Sequence, residues 1–188
     1  MICAIHQPNF FPWFPFFQKV AAVDVFVVLS DCQFEKNGYQ NRFWLGGKWH
    51  TMSVNKGLES IRNKVYPFWM KDWNRICGQL SQYSDILSKF EDDIGPTLLD
   101  TNIRIINRLA RMLVIDTPIH LDRPTGVTST ERLIRLCQMH NCDTYLSGVS
   151  GRKYLDIEAF KRASIEILFQ KEEAMNKRSV LEVLHAAV

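Results

Sequence analysis

The order of apolar and polar positions divides the chain into short segments whose periods differ. Residues 2–5 form a short apolar run and residues 25–29 a second one, rich in β-branched and aromatic side chains, so both read as buried strands. Between them Trp13, Phe14, Phe16, Phe17, Val20 and Ala21 suit the buried side of a short helix. A strand, a helix and a strand in so few residues predict a βαβ unit with a right-handed crossover. Asn37-Gly38 then marks a turn, and residues 39–45 and 48–54 flank Gly46-Gly47 as the arms of a β-hairpin. The middle of the chain takes helical spacing at Trp69, Trp73, Ile76, Cys77 and Leu80. It does so again at Leu98, Asn102, Ile105, Ile106, Leu109, Met112 and Leu113.

Strand character returns at residues 115–121. Thr128 and Glu131 have the form of a capping box for a helix reaching about His140. A strand at 143–146, a glycine-containing loop, a helix at 153–162, a strand at 165–169 and a C-terminal helix opened by Ser179 and Glu182 complete the series. Strands alternating with helices predict an α/β fold with a mainly parallel sheet, flanking helices, a helical insertion in the middle and a small β-hairpin. At 188 residues the chain is expected to be a single domain spanning 1–188.

Polar residues cluster where the first two strands end: His6, Gln7 and Asn9 after one, Asp31, Gln33 and Lys36 after the other. In open α/β sheets ligands bind at the carboxyl ends of the strands, so this clustering marks a candidate site. His6 is the main catalytic candidate, because a histidine just past a strand can move a proton near neutral pH or donate to an oxyanion. Asp31 would orient His6 or act as a base. Alone, His6 reads as a structural histidine bonding the turn at Pro8; the polar groups expected near it favour function. Ser147, Gly148, Gly151 and Arg152 lie in a loop between a strand and a helix. Glycines let backbone approach a ligand, helix-start N–H groups favour an anion, and the Arg152 fork suits phosphate or carboxylate. The G-x-x-x-x-G-K-[ST] spacing of a P-loop is absent. Lys36, Arg42 and Arg152 would hold anionic groups, while Gln7, Asn9, Gln33 and Asn41 would orient substrate. Arg42 alternatively makes a surface salt bridge. Trp13 and Tyr154 either flank a ring or only pack, and Asn102 either ties down a loop or reaches the site.

Composition narrows this further. The net charge of +3 permits an anionic ligand without demanding nucleic acid. Five cysteines with no C-x-x-C spacing predict neither a disulfide scaffold nor a zinc site, and no metal ligand set is specified. Cys32 sits beside Asp31 in the candidate site. No charged leader or long apolar run is present, which points to the cytoplasm and away from a membrane partner.

The run His6-Gln7-Pro8-Asn9-Phe10-Phe11-Pro12-Trp13, with Lys19 and then Asp31-Cys32-Gln33-Phe34-x-Lys36, resembles the opening of the WbqC-like family. Asn41-Arg42 and the stretch Thr144-Tyr145-Leu146-Ser147-Gly148-x-x-Gly151-Arg152-x-Tyr154-Leu155-Asp156 fit the same pattern. The resemblance spans residue 2 to about Gln170. It implies a role in surface-polysaccharide biosynthesis and transfer of glycine or a similar small acyl group onto a sugar. Two departures stand out: Ser30 occupies a position where an acidic residue is common, and the loop after the last strand is shortened. The layout also resembles, at fold level, nucleotidylyltransferases of the nucleotide α-hydrolase class, although the second histidine of their His-x-x-His pair is replaced by Asn9.

Three functions are therefore expected in order. The first is a transferase with a small-molecule donor and an anionic, sugar- or nucleotide-containing acceptor. The second is a nucleotidyltransferase-like enzyme that would use ATP with Mg²⁺. The third is a non-catalytic module binding a nucleotide-sugar or nucleic acid.

Overall fold

The computed structural model describes residues 1–171 and 179–186. They form two compact units. The first comprises Met1–Gln7, Pro15–Leu29 and residues 115–171; the second comprises Pro8–Phe14, Ser30–Val114 and residues 179–186.

In the first unit, β1 (Ile2–His6), β2 (Val25–Val28), β5 (Ile119–Leu121), β6 (Thr144–Ser147) and β7 (Glu166–Phe169) form one sheet in the order β5-β2-β1-β6-β7. Every pairing in it is parallel. Parallel strands are covered on both faces and so read as near-continuous apolar runs; all four residues of β2 are buried. Period-2 alternation splits the strands between two layers. Cys3, Ile5, Val25, Val27 and Tyr145 share a core with Leu133, Ile134, Leu136 and Cys137 of α5 (Ser129–Met139) and Phe160 of α6 (Ile157–Arg162). The intervening Phe26 meets Phe16 of α1 (Phe14–Ala21), with ring centroids 5.1 Å apart. The expected strand–helix–strand opening and the parallel α/β architecture are present.

The sheet reverses its direction of growth at β1: the chain adds β2 and β5 on one side of it and β6 and β7 on the other. Such a switch point leaves a crevice at the carboxyl ends of the strands. The ladders record the same opening. β1 and β2 pair as far as His6↔Val28, and β6 and β7 as far as Ser147↔Phe169. Between β1 and β6 the pairing covers Ile2↔Thr144 and Cys3↔Tyr145 and stops there.

The second unit contains β3 (Arg42–Leu45) and β4 (Lys48–Thr51), paired antiparallel, with α2 (Trp69–Gln79), α3 (Ser84–Leu87), α4 (Leu98–Met112) and α7 (Val180–His185). Gly46 and Gly47 have φ of +58° and +80°, the conformation that a two-residue hairpin turn of the type I′ class requires. Its core is aromatic. Phe11 packs edge-on against Phe10 and Phe90 and stacks with Trp73 at 5.8 Å and 6°. Trp73 is thus core, as its helical spacing predicts.

Three boundaries differ from the sequence expectation. The hairpin arms are shorter than 39–45 and 48–54; at their open end Asn41 O accepts from Met52 N at 2.8 Å and the Asn41 side chain donates to Met52 O at 2.7 Å, which closes the pair. Residues 115–118 are not strand. Val114 takes a φ of +55°, Pro118 has no N–H to give a ladder, and Thr117 Oγ1 instead donates to Val20 O at 2.9 Å. The helix expected at 153–162 begins at Ile157, because Asp156 is its N-cap and accepts from Ala159 N at 3.0 Å. At α5, Thr128 occupies the expected N-cap position in extended conformation without a side-chain cap bond.

Candidate functional site

The first unit gathers part of the expected site at the parting strands. His6 ends β1 and is partly buried; Gln7 follows it. Its Nδ1 lies 2.9 Å from Gln7 O. A carbonyl only accepts, so Nδ1 carries the hydrogen and, in the neutral ring, Nε2 is left with a free lone pair. Burial, reinforced by the charge of Lys19 and only partly offset by the Gln7 carbonyl, lowers the imidazolium pKa to about 4. The ring is therefore neutral at physiological pH, and Phe16 stands edge-on to it at 5.1 Å.

Lys19 belongs to the same unit and is 3% exposed. Its Nζ donates to Ile5 O at 3.3 Å, and burial lowers its pKa to about 8. A buried lysine with no carboxylate against it among the described residues is costly. Its charge opposes protonation of His6.

Ser147 ends β6 and is fully buried, its Oγ donating to Gly148 O at 3.1 Å. The chain then coils back tightly as a 3₁₀ turn, Val149–Lys153. A Cβ on Gly151 would lie 2.0 Å from Ser147 Oγ, so a larger residue would have to displace that hydroxyl for the turn to close over the strand end. The loop-to-helix geometry expected here takes another form. The N–H groups of Gly151, Tyr154 and Leu155 bond to the carbonyls of Gly148 and Gly151, and the helix that follows is capped by its own Asp156. What the loop offers instead is Arg152. It is exposed, with Cζ 4.1 Å from the Phe169 ring centroid, a cation–π contact that holds the guanidinium beside the end of β7. Tyr154 is 66% exposed.

The second unit holds the other expected residues, and it separates them. Asp31, Gln33 and Lys36 are exposed along the segment after β2, where Gln33 bridges Ser60. Asn41 and Asn102 are buried in the scaffold. The Asn102 amide donates to Pro8 O at 2.8 Å and Gln40 O at 2.7 Å, and its Oδ1 accepts from Tyr66 at 3.4 Å. One amide bond thus ties the 8–14 loop at Pro8 and the other ties the segment before β3 at Gln40, the loop-tying role of its two expected ones.

Asn9, Trp13 and Arg42 come together. With Phe10, Phe11, Pro12, Tyr39, Phe43, Trp44, Trp49 and Ser179 they line a pocket of about 260 Å³. Trp13 and Tyr39 are nearly parallel, 6.4 Å apart at 9°, and Trp49 lies 5.6 Å from Tyr39. Arg42 Cζ stands 4.2 Å from the Trp49 centroid, while Nε donates to Gly38 O at 3.2 Å and Nη2 to Asn37 O. The surface salt bridge considered for Arg42 is not among the ion pairs of the described residues. Sequence reasoning missed Tyr39, Trp44 and Trp49. The signal was in the hairpin alternation, which buries Phe43, Leu45 and His50 and so turns two tryptophans outward.

Other chemistry is limited among the described residues. No group of three or more His, Cys, Asp or Glu side chains is placed to hold a metal ion. The five cysteines are unpaired. Cys3 is fully buried, and hydrogen bonding to Cys137, then burial, pushes its thiol up, away from thiolate chemistry. No helix is long and apolar enough to cross a membrane. Residues 172–178 of the loop that the sequence shows as shortened lie outside the described residues.

Comparison with known proteins agrees with the motifs on which these groups sit. The uncharacterized protein Rv1507c of Mycobacterium tuberculosis is 30% identical over 184 residues, covering 87% of this chain and 79% of that protein. No solved structure matches the chain. The family model described as the WbqC-like protein family matches residues 7–177, and the chain belongs to that family.

Proposed function

We propose that the chain is a transferase that moves glycine or another small acyl group onto a sugar- or nucleotide-containing acceptor, in the cytoplasm, as a step of polysaccharide biosynthesis. The observation that carries this reading is the state of His6. It ends the central strand of a parallel sheet, where β1 and β6 part, with Nδ1–H fixed on a backbone carbonyl and Nε2 free to accept a proton. In the proposed step Nε2 takes the proton of an acceptor hydroxyl or amine. That atom attacks the carbonyl carbon of the activated acyl group, and the imidazolium returns the proton to the departing group. With a pKa of about 4 the ring is wholly in its basic form at neutral pH. Gln7, Ser147, Gly148, Gly151, Arg152 and Tyr154 are assigned to substrate contacts in the first unit. In the second, Asn9, Trp13 and Arg42 bind substrate, Gln33, Lys36 and Asn41 orient or anchor it, and Asp31 assists proton transfer.

The test is product formation. The chain is incubated with glycine, ATP, Mg²⁺ and a panel of nucleotide-sugars, and acceptors are searched by mass spectrometry for a glycyl adduct. A glycylated product lost in His6→Ala supports the reading. Nucleotide-sugar binding that His6→Ala leaves intact, with no product from the wild type, overturns it in favour of a binding module.

One observation favours a second reading, nucleotidyl transfer with ATP and Mg²⁺. An all-parallel sheet that switches direction at β1 is the architecture on which nucleotides are commonly bound. Pyrophosphate release without an acylated product would mark it.

A further inference from the structure

We infer that the aromatic pocket of the second unit binds a single sugar ring carrying a carboxylate or a phosphate, stacked on Tyr39, Trp44 and Trp49 with its anionic group on Arg42. The choice of a sugar ring rests on the sugar-acceptor reading above; the existence of the site rests on the pocket itself.

Large aromatic rings are ordinarily withdrawn from water, yet Tyr39, Trp44 and Trp49 are 50%, 46% and 39% exposed. They are grouped, rimming one pocket, and an exposed apolar group of this kind marks a binding surface. Trp13 and Tyr39 are nearly parallel but stand against each other at 6.4 Å as one stack, and the exposed rings that face the pocket take varied tilts. Trp44 and Trp49 meet at 77° and Tyr39 and Trp49 at 53°. A planar base asks for parallel walls, whereas a puckered pyranose presents C–H groups in several directions and suits rings set at angles. The volume of about 260 Å³ lies below the roughly 300–1,000 Å³ usual for drug-sized ligands, which favours one ring over a whole nucleotide-sugar.

Arg42 sets the charge. The Asn37-Gly38 turn takes two of its donors through backbone carbonyls, and Trp49 supports its face. Neutral partners hold the fork in place without cancelling its charge, and no Asp or Glu among the described residues pairs with it. A pre-oriented guanidinium beside exposed aromatic rings recognises a planar carboxylate or a phosphate. A Cβ on Gly38 would lie 2.3 Å from Gln40 Oε1 and 3.0 Å from Glu35 O, so a larger residue there would have to displace the Gln40 side chain. On the pocket wall Phe11 takes a φ of +45°, a conformation rare for a bulky residue, held by its packing on Phe10, Phe43, Trp73 and Phe90.

The experiment follows the indole N–H resonances of Trp13, Trp44 and Trp49 in the full chain during titration with glucuronate, glucose phosphate, glucose and AMP. Saturable shifts are expected with glucuronate or glucose phosphate, and the stronger of the two identifies the anionic group. Binding of neutral glucose, and of either anionic sugar to Arg42→Ala, should be about tenfold weaker or worse. Arg42→Lys should recover part of it. Trp44→Ala, at an exposed position that leaves the hairpin folded, should also weaken binding. No saturable shift with either anionic sugar, glucose binding as tightly as glucuronate, or AMP binding where the sugars do not would each overturn the inference. Because the readout is binding, a chain that takes these sugars but transfers no acyl group keeps the pocket and rejects only the transferase reading.

Discussion

The two units present functional groups to solvent in opposite ways. In the first, the central strands β1, β2 and β6 are buried along most of their length, so their ends are what is free to carry chemistry. His6 and Ser147 stand at the last positions of β1 and β6, and polar groups follow at once. In the second, a two-stranded hairpin has a solvent face along its whole length, and that face carries Trp44 and Trp49. A parallel sheet thus concentrates its polar atoms at one edge, where a proton can be moved. A hairpin spreads a recognition surface, where a ring can be held. If this division is right, variants in the first unit act on turnover and variants on the hairpin face act on binding.

The sharpest break of that comparison is His6→Ala. Loss of a general base costs about 10²–10⁴-fold in turnover, with little change in KM or in melting temperature. A comparable loss of acceptor affinity instead would move His6 into the recognition surface. Wild-type turnover should stay flat from neutral pH down towards about 4, where His6 protonates; an acid limb near 6.5 would deny its burial.

Asn102→Ala should destabilise the chain by about 3 kcal/mol in urea unfolding. It leaves Pro8 O and Gln40 O short of a donor and releases the loop that carries Asn9 and Trp13. An unchanged midpoint would mean that the loop is held by its phenylalanines alone.

Lys19→Met tests the buried amine. Its folded pKa, about 8, lies below the ordinary 10.5, so the unfolded chain binds more protons between those values. Stability should therefore rise with pH through that window, be fully gained above it, and be lost as pH falls through about 8. The methionine variant should lack this rise and be more stable at neutral pH by an amount on the order of 3 kcal/mol. Equal pH profiles would show that Lys19 reaches water.

Gly151→Ala should cost about 1–3 kcal/mol, since its Cβ must displace Ser147 Oγ in a closed turn. Least of all for stability is Trp44→Ala, expected to fall within about 0.5 kcal/mol of wild type because the ring is exposed. Its effect belongs in ligand binding, and a large loss of stability there would make the hairpin face part of a core.

Much of the first unit was legible before any coordinates. Fully buried strands announce themselves as apolar runs, and the polar clusters that follow them mark the edge where a site forms. The differences were local. Asp156, rather than the glycine loop, starts the next helix, because a carboxylate capping Ala159 N competes better than a loop whose N–H groups already bond to Gly148 and Gly151. Asn102 had two readings in sequence. Only its position opposite two carbonyls, from residues 62 and 94 places away, decides between them.

Periodicity and contiguous motifs are local properties of the chain, and they sufficed for the α/β architecture, the family and the candidacy of His6. Which way the sheet grows from β1, that β1 and β6 separate before their ends, that His6 stays neutral, and that Arg42 joins three exposed aromatic rings emerged only on folding. Strand order, desolvation and the meeting of side chains distant in sequence depend on long-range packing, and no window of neighbouring residues contains that information.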